Sequence, residues 1–173
     1  MKKNWLNSYS FYIVYPSSFK DSNGDGMGDL NGITEKLDYL KWLGIDCIWI
    51  APFFKSSFKD GGYDVIDYRL VDPRHGTNED FYNLLNEAHK RNIKVIIDMV
   101  FGHTSLENPW FIESAKYEHN KYSDYYIWTD DIFNKYQEID LKDLENVTGG
   151  GMLWASKCPL TQERYCPGHH DGC

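Results

Sequence analysis

The sequence predicts an α/β fold of successive βαβ units, in which a parallel sheet is covered by helices. Three observations carry that prediction. Apolar segments rich in aromatic and β-branched residues recur at 11–15, 47–50 and 95–100. The stretches between them show the 3.6-residue period of amphipathic helices. The third segment is apolar nearly throughout, as a strand covered on both faces must be. Strand, helix, strand, helix, strand in that order calls for crossover connections and hence parallel pairing.

Between the first two strands lies GITEKLDYLKWLG, residues 32–44. Ile33, Leu37, Leu40 and Leu43 fall at spacings of four and three, the period of one helix face, and Gly44 stands where a left-handed C-terminal cap belongs. Between the second and third strands lies TNEDFYNLLNEAHKRN, residues 77–92. Thr77 and Asp80 are placed as a capping box, Phe81, Leu84, Leu85 and Ala88 form the apolar stripe, and Lys90 and Arg91 sit at the negative end of the helix dipole. Doubly wound sheets and (β/α) barrels share this order of elements, and the loops separate them. The long polar and aromatic loops PSSFKDSNGDGMGDL, APFFKSSFKDGGYDVIDY and FGHTSLENPWF each follow a strand, the arrangement of a barrel with its site on the C-terminal face. No G-x-G-x-x-G turn follows the first strand, and the acidic residues among Gly24, Gly26 and Gly28 would repel a pyrophosphate, which argues against dinucleotide binding.

Composition narrows the partners. Eighteen Lys and Arg stand against 26 Asp and Glu, a formal charge of −8, and no basic run offsets it, so nucleic acid is not an expected partner. No window approaches the ~18 uninterrupted apolar residues of a membrane helix. The start of the chain, residues 1–8, is too short and too polar to be a secretory h-region, so the expected location is cytoplasmic. Six Trp, 13 Tyr and 9 Phe lean toward a sugar ligand, because flat, hydroxyl-tipped rings suit carbohydrate faces. Residues 148–173 carry no helix or strand period and concentrate Cys158, Cys166 and Cys173 with His169 and His170. The ligand pairs Cys166/His169 and His170/Cys173 leave almost no loop to wrap a zinc ion, and this segment is left unassigned.

One loop carries a metal signature. In the stretch 21–29, Asp21, Asn23, Asp25 and Asp29 place side-chain oxygens at positions 1, 3, 5 and 9 of an EF-hand-like loop. Gly26 supplies the sharp turn and Met27 a backbone carbonyl. Carboxylates so close repel one another unless a cation neutralises them, and flexible oxygen coordination suits Ca2+ better than magnesium. Position 12 is Gly32 and not Glu, which favours a structural site over a calcium sensor.

The segments YPSSFKDSNGDGMGDLNGI, LGIDCIWIAPFF, GGYDVIDYRLVDPRHGT and VIIDMVFGHTSLENPWF, in this order, resemble glycoside hydrolase family 13, the α-amylase and α-glucosidase group. The resemblance implies a (β/α)8 barrel, here its first three βα units and the start of a domain B inserted after strand three. It implies retaining hydrolysis of α-glucosides, with an α-linked oligosaccharide or glucan as substrate. Residue by residue, it implies that Tyr63 stacks on the sugar at subsite −1, Asp64 hydrogen-bonds that sugar and His103 binds its hydroxyls. Asp98 would organise the site from the end of strand three, and Asp21, Asn23, Asp25, Met27 and Asp29 would hold calcium. Gly102 stands where the family usually has Asn.

These roles have physical counterparts. Gly61 and Gly62 allow a turn tight enough to set an aromatic face beside a carboxylate. Asp98 ends an apolar strand, where a carboxylate costs several kcal/mol unless partnered. A retaining glycosidase needs a nucleophile and an acid/base carboxyl ~5 Å apart. In the resembled family these lie on later strands, so no catalytic carboxylate is expected in this chain, and the remainder of the barrel is the implied partner. The expected organisation is 1–103 as barrel, 104–147 as the start of domain B, and 148–173 unassigned. The competing reading from a different class is a noncatalytic calcium-dependent carbohydrate-binding or scaffold module on the same barrel portion.

Overall fold

The computed structural model describes residues 5–126, 128–129 and 154–155 of the 173-residue chain. After a 3-10 turn at Trp5–Ser8 come β1 (Phe11–Val14), α1 (Pro16–Phe19), α2 (Leu30–Glu35), α3 (Leu37–Trp42) and β2 (Cys47–Ile50). Then follow β3 (Phe54–Ser56), β4 (Val65–Val71), α4 (Asn78–Lys90), β5 (Lys94–Ile97), α5 (Pro109–Ser114), β6 (Trp128–Thr129) and β7 (Trp154–Ala155). The expected Cys/His segment, apart from residues 154–155, and most of the 127–147 stretch lie outside the described residues.

The three expected strands form one parallel sheet in the order β1-β2-β5, with Ile13 beside Trp49 and Trp49 beside Ile96. Pairing runs one step past the strands, because Ala51 N donates to Val14 O at 2.8 Å and Asp98 N to Ile50 O at 3.0 Å. The C-terminal strand ends, where the long loops start, are thereby held in line. One face of the sheet supplies Val14, Ile48 and Ile50 to a core completed by Leu30, Ile33, Leu37, Leu40, Leu84, Ala88 and Ile93, all buried. On the alternate register positions Ile13 and Trp49 remain 46% and 43% exposed.

The expected helix over 32–44 is two short helices. Helix α2, capped by Asp29, begins two residues before the expected start, and at Lys36 (φ −98°, ψ 3°) the chain tightens, its N–H bonding to Ile33 O at 3.0 Å. The buried stripe is therefore Leu30, Ile33, Leu37 and Leu40, whereas Leu43, expected inside, lies past the end of α3 and is exposed. Gly44 does take the left-handed conformation expected of it, at φ +85°. Helix α4 has the expected reciprocal capping box of Thr77 and Asp80. Its C-terminal Arg91 bonds Asp38 twice (2.7 and 3.1 Å) and Glu87 at 2.7 Å, a solvent-screened cluster that adds little to stability.

The stretch read as one loop after the second strand contains a two-stranded sheet of β3 and β4. Phe53 and Phe54 stack at 5.0 Å between ring centroids, Asp72 N donates to Phe53 O at 2.8 Å, and Phe53 also packs on Phe81 of α4 at 5.0 Å, so buried aromatics fasten this excursion to the helix. Two glycines are demanded by close approach. A Cβ on Gly28 would lie 2.1 Å from Pro16 O, and one on Gly32 would lie 1.9 Å from Lys20 O.

The chain separates into two compact units, Met1–Tyr63 with Asp67–Met99, and Asp64–Ile66 with Val100–Cys173. The division falls at Met99, and the second unit takes three residues from the middle of the chain. Within the second unit Val65 O accepts from Ser105 N at 3.0 Å and from Asn108 Nδ2 at 3.3 Å. The core of this second unit includes Phe111, set edge-on against Tyr126 with centroids 5.1 Å apart, and Trp128, whose Nε1 donates to Ser114 Oγ at 2.8 Å. No helix among the described residues is long and apolar enough to cross a membrane.

Candidate sugar-binding and metal sites

In the first unit the loop 21–29 is wound around its own side-chain oxygens. Asp21 accepts from Asn23 N (3.0 Å), Gly24 N (2.6 Å) and Gly26 N (2.8 Å), Asn23 Oδ1 from Asp25 N (2.9 Å), and Asp25 Oδ1 from Met27 N (2.8 Å). Each odd-numbered side chain thus bends the backbone back around the next, and Gly24 and Gly26 supply the positive φ values of 84° and 92° that such winding requires. The Gly26 N–H, followed by that of Gly24, holds the Asp21 carboxyl below the usual carboxylate range.

Asp29 stands apart from these three. It is buried, its Oδ1 accepts from Gly32 N (2.7 Å) and Ser22 Oγ (2.7 Å), and its Oδ2 from Ser22 N (3.0 Å). Burial opposes its ionisation, yet these donors outweigh burial and its pKa is lowered. Among the described residues no three His, Cys, Asp or Glu side chains gather into a metal cluster. A cation here would draw on the amide oxygen of Asn23 and the carbonyl of Met27 beside the carboxylates, a hard oxygen set that fits Ca2+ in chemistry.

Also in the first unit, the Tyr63 hydroxyl donates to Asp98 Oδ2 at 3.3 Å. Asp98 is placed by the strand ladder through its N–H to Ile50 O, and Tyr63 by a turn in which its N–H bonds Asp60 O at 2.9 Å. Gly61 and Gly62 precede it with φ of +58° and +100°. A side chain at Gly62 would also come within 3.1 Å of Pro52 O, so both conformation and space require glycine there. Burial, then the negative charge of Asp98, push the Tyr63 phenol above its ordinary pKa, and it stays a protonated donor. Tyr63 as a whole is half-buried.

In the second unit the two donors to Val65 O tie the loop 100–108 to the segment that begins with Asp64. Asp64 is buried and His103 half-buried. The fold therefore joins Tyr63 to Asp98 within one unit and anchors the Asp64 segment to the His103 loop within the other.

Sequence reasoning passed over four residues. Asn108 and Ser105 are buried and fasten the His103 loop, and Asn108 Oδ1 also caps α5 by accepting from Trp110 N at 2.8 Å. The Asn-Pro pair at the start of α5 was the available signal. Asp72 and His75 are buried in the turn before α4, where no periodicity marks burial.

The sequence profile described as "Alpha amylase, catalytic domain" matches residues 13–157. The chain belongs to the alpha-amylase catalytic-domain family. It is 56% identical over 126 residues to an oligo-1,6-glucosidase of Heyndrickxia coagulans, covering 73% of this chain and 23% of that protein. It is 50% identical over 127 residues to a trehalose synthase/amylase of Mycolicibacterium smegmatis, covering 73% and 21%. Among solved structures, a Bacillus licheniformis trehalose-6-phosphate hydrolase superposes with a TM-score of 0.73 at 50% identity, covering 75% of this chain and 23% of that one. An isomaltulose synthase from a Klebsiella species gives 0.75 at 50% identity, covering 78% and 24%. The chain thus spans about a quarter or less of the length of these family members. The catalytic domain of this family is a (β/α)8 barrel, and the three parallel strands β1, β2 and β5 with their helices are part of one.

Proposed function

We propose that the chain forms the glucose-binding portion of the active site in an α-glucoside hydrolase or transglycosylase of the oligo-1,6-glucosidase and trehalose synthase type. The observation that carries this reading is the Tyr63 to Asp98 hydrogen bond at the C-terminal strand ends, which fixes an aromatic plate beside a carboxylate. In the first unit Tyr63 supplies a stacking surface for an α-linked glucosyl unit and Asp98 orients it, and in the second Asp64 and His103 are assigned to bond sugar hydroxyls. The substrate class is an α-linked oligosaccharide, in keeping with the names of the relatives. None of the chain's acidic residues is assigned as nucleophile or acid/base, so bond cleavage is the work of the remaining barrel strands. Residues 1–103 are read as barrel and 104–147 as the start of domain B.

Calcium is part of the proposal. Asp21, Asn23, Asp25, the Met27 carbonyl and Asp29 would hold it, and when bound it would neutralise the loop carboxylates and stiffen the segment leading into α2.

The test is a chimera in which residues 1–128 replace the corresponding part of the Heyndrickxia coagulans oligo-1,6-glucosidase. We expect it to cleave isomaltose, and Asp64→Ala and His103→Ala each to lower kcat/KM by roughly 2–4 kcal/mol through loss of hydrogen bonds that strengthen in the transition state. Full activity in either variant refutes the assignment.

A further inference from the structure

The loop that carries Tyr63 contains a backbone outlier. Phe58 has φ +59°, a left-handed conformation that a bulky residue adopts only when its surroundings over-determine it. Three contacts do so. Its N–H donates to Ser56 Oγ at 2.9 Å, the Arg74 guanidinium sits 4.4 Å from its ring centroid, and the His75 ring lies 5.8 Å from it, centroid to centroid. Arg74 is itself held by the buried Asp72, through its backbone N–H at 3.0 Å and Nη1 at 3.3 Å. Asp72 in turn accepts from Ser56 N at 3.0 Å. The Phe58 ring also lies beside Gly62, its Cε2 3.7 Å from where a Gly62 Cβ would stand, next to Tyr63 in sequence.

His75 faces two ways. Only 1% of its surface is exposed. Its Nδ1 lies 3.3 Å from Gly28 O, and because a carbonyl only accepts, Nδ1 carries the proton. Its own carbonyl accepts from Leu30 N at 3.0 Å, so one residue grips the exit of the 21–29 loop on either side of Asp29. The ring of the same residue touches Phe58. All of these residues belong to one compact unit.

We infer that His75 is a positioning residue that couples the 21–29 loop to the Tyr63 loop, through the contact chain Gly28, His75, Phe58, Gly62, so that order in the first loop sets the placement of the sugar-stacking ring. This inference deepens the proposed function, resting on the role of Tyr63 but not on metal occupancy. The strain at Phe58 is what makes the link directional: released from His75 and Arg74, Phe58 has every reason to leave φ +59°, and Gly62 loses the surface it packs on.

The test is backbone hydrogen exchange of the 173-residue chain, read on peptides covering 57–64 and, as a reference, 84–90 in α4. The perturbation is Asp21→Ala, which removes three hydrogen bonds of the distant loop. With His75 present, exchange over 57–64 is expected to rise about threefold or more with 84–90 unchanged, a coupling within the range of contacting residues. In a His75→Asn background, which keeps an amide donor for Gly28 O and loses the ring against Phe58, that response is expected to vanish. In a His75→Phe background, which keeps the ring and loses the donor, it is likewise expected to vanish. An equal response in either background, or none with His75 present, overturns the inference. Faster exchange over 84–90 in step with 57–64 identifies plain destabilisation and also overturns it. Repeating the series with CaCl2 separates the two readings: calcium protecting 21–29 but never 57–64 overturns the coupling alone, whereas calcium protecting neither overturns the metal assignment while the Asp21→Ala comparison still decides the coupling.

Discussion

Gly32→Ala sets two effects against each other, and the structure decides the winner. Gly32 lies in the first turn of α2, where replacing Gly by Ala ordinarily stabilises a helix by about 1 kcal/mol. Here the new methyl carbon would stand 1.9 Å from Lys20 O and 2.7 Å from Lys20 C, both backbone atoms, so the Lys20 peptide would have to retreat by more than an ångström. That peptide is not free to move at no cost, since Lys20 O accepts from Asp29 N at 3.1 Å and Asp29 in turn caps Gly32 N. Overpacking of this kind costs about 1–3 kcal/mol, and a strained or lost buried hydrogen bond adds about 1 kcal/mol or more. The expected net is a destabilisation of about 2 kcal/mol, against the propensity trend. Urea unfolding followed by tryptophan fluorescence measures it, with Gly44→Ala as the control. Gly44 is the converse case, with a positive φ of +85° and no atom within 4 Å of its would-be Cβ, so its cost is the backbone conformation alone, about 1 kcal/mol. A Gly32→Ala chain as stable as the parent, or more so, refutes the close approach of Lys20 to α2.

Three further outcomes are expected. Thr77→Ala removes the side-chain acceptor of the Asp80 N–H and half of the capping box at α4, and should lower stability by about 1 kcal/mol in the same assay, whereas an unchanged midpoint means the cap is not formed in solution. Burial lowers the pKa of His75 below its ordinary 6.5, so the unfolded chain takes up its proton first; stability from this residue is present above pH 6.5 and is lost as pH falls toward the lower folded value. Thermal unfolding should show that loss in the parent and a flatter profile in His75→Phe, and parallel profiles count against a buried neutral imidazole. Calcium added to EDTA-stripped protein should release or absorb heat on titration and raise Tm, with both effects gone in Asp21→Ala; no heat and no Tm change sink the metal assignment.

The strands and the caps were legible because their signals are local. Runs such as Cys47–Ile50 need no partner to be recognised as buried strand, and the Thr77 and Asp80 capping box is complete within four residues. Leu43 was misjudged because periodicity extends a stripe without saying where the helix stops; the chain turns at its C-cap, and the next residue of the pattern faces solvent. Of the candidate site, motifs singled out Tyr63, Asp64, Asp98 and His103, whose roles belong to the proposal; the structure joins Tyr63 to Asp98 by a hydrogen bond. His75, Asn108 and Asp72 were not, since each is buried in a turn by residues 16 to 47 positions distant, and only tertiary contact makes such a polar residue valuable. Asp29 illustrates the same limit: its spacing fits a ligand, while the geometry also employs it as a helix cap.

The row formed by Ile13, Trp49 and Ile96 across the sheet has a practical corollary for anyone handling the chain. Two large apolar side chains in adjacent strands, each nearly half open to water, are surface through which dissolved chains can associate. Concentration then becomes a variable of the experiment. Sedimentation profiles, dye fluorescence and even apparent melting points are properties of a stated dilution, and a value measured at one protein concentration does not carry over to another.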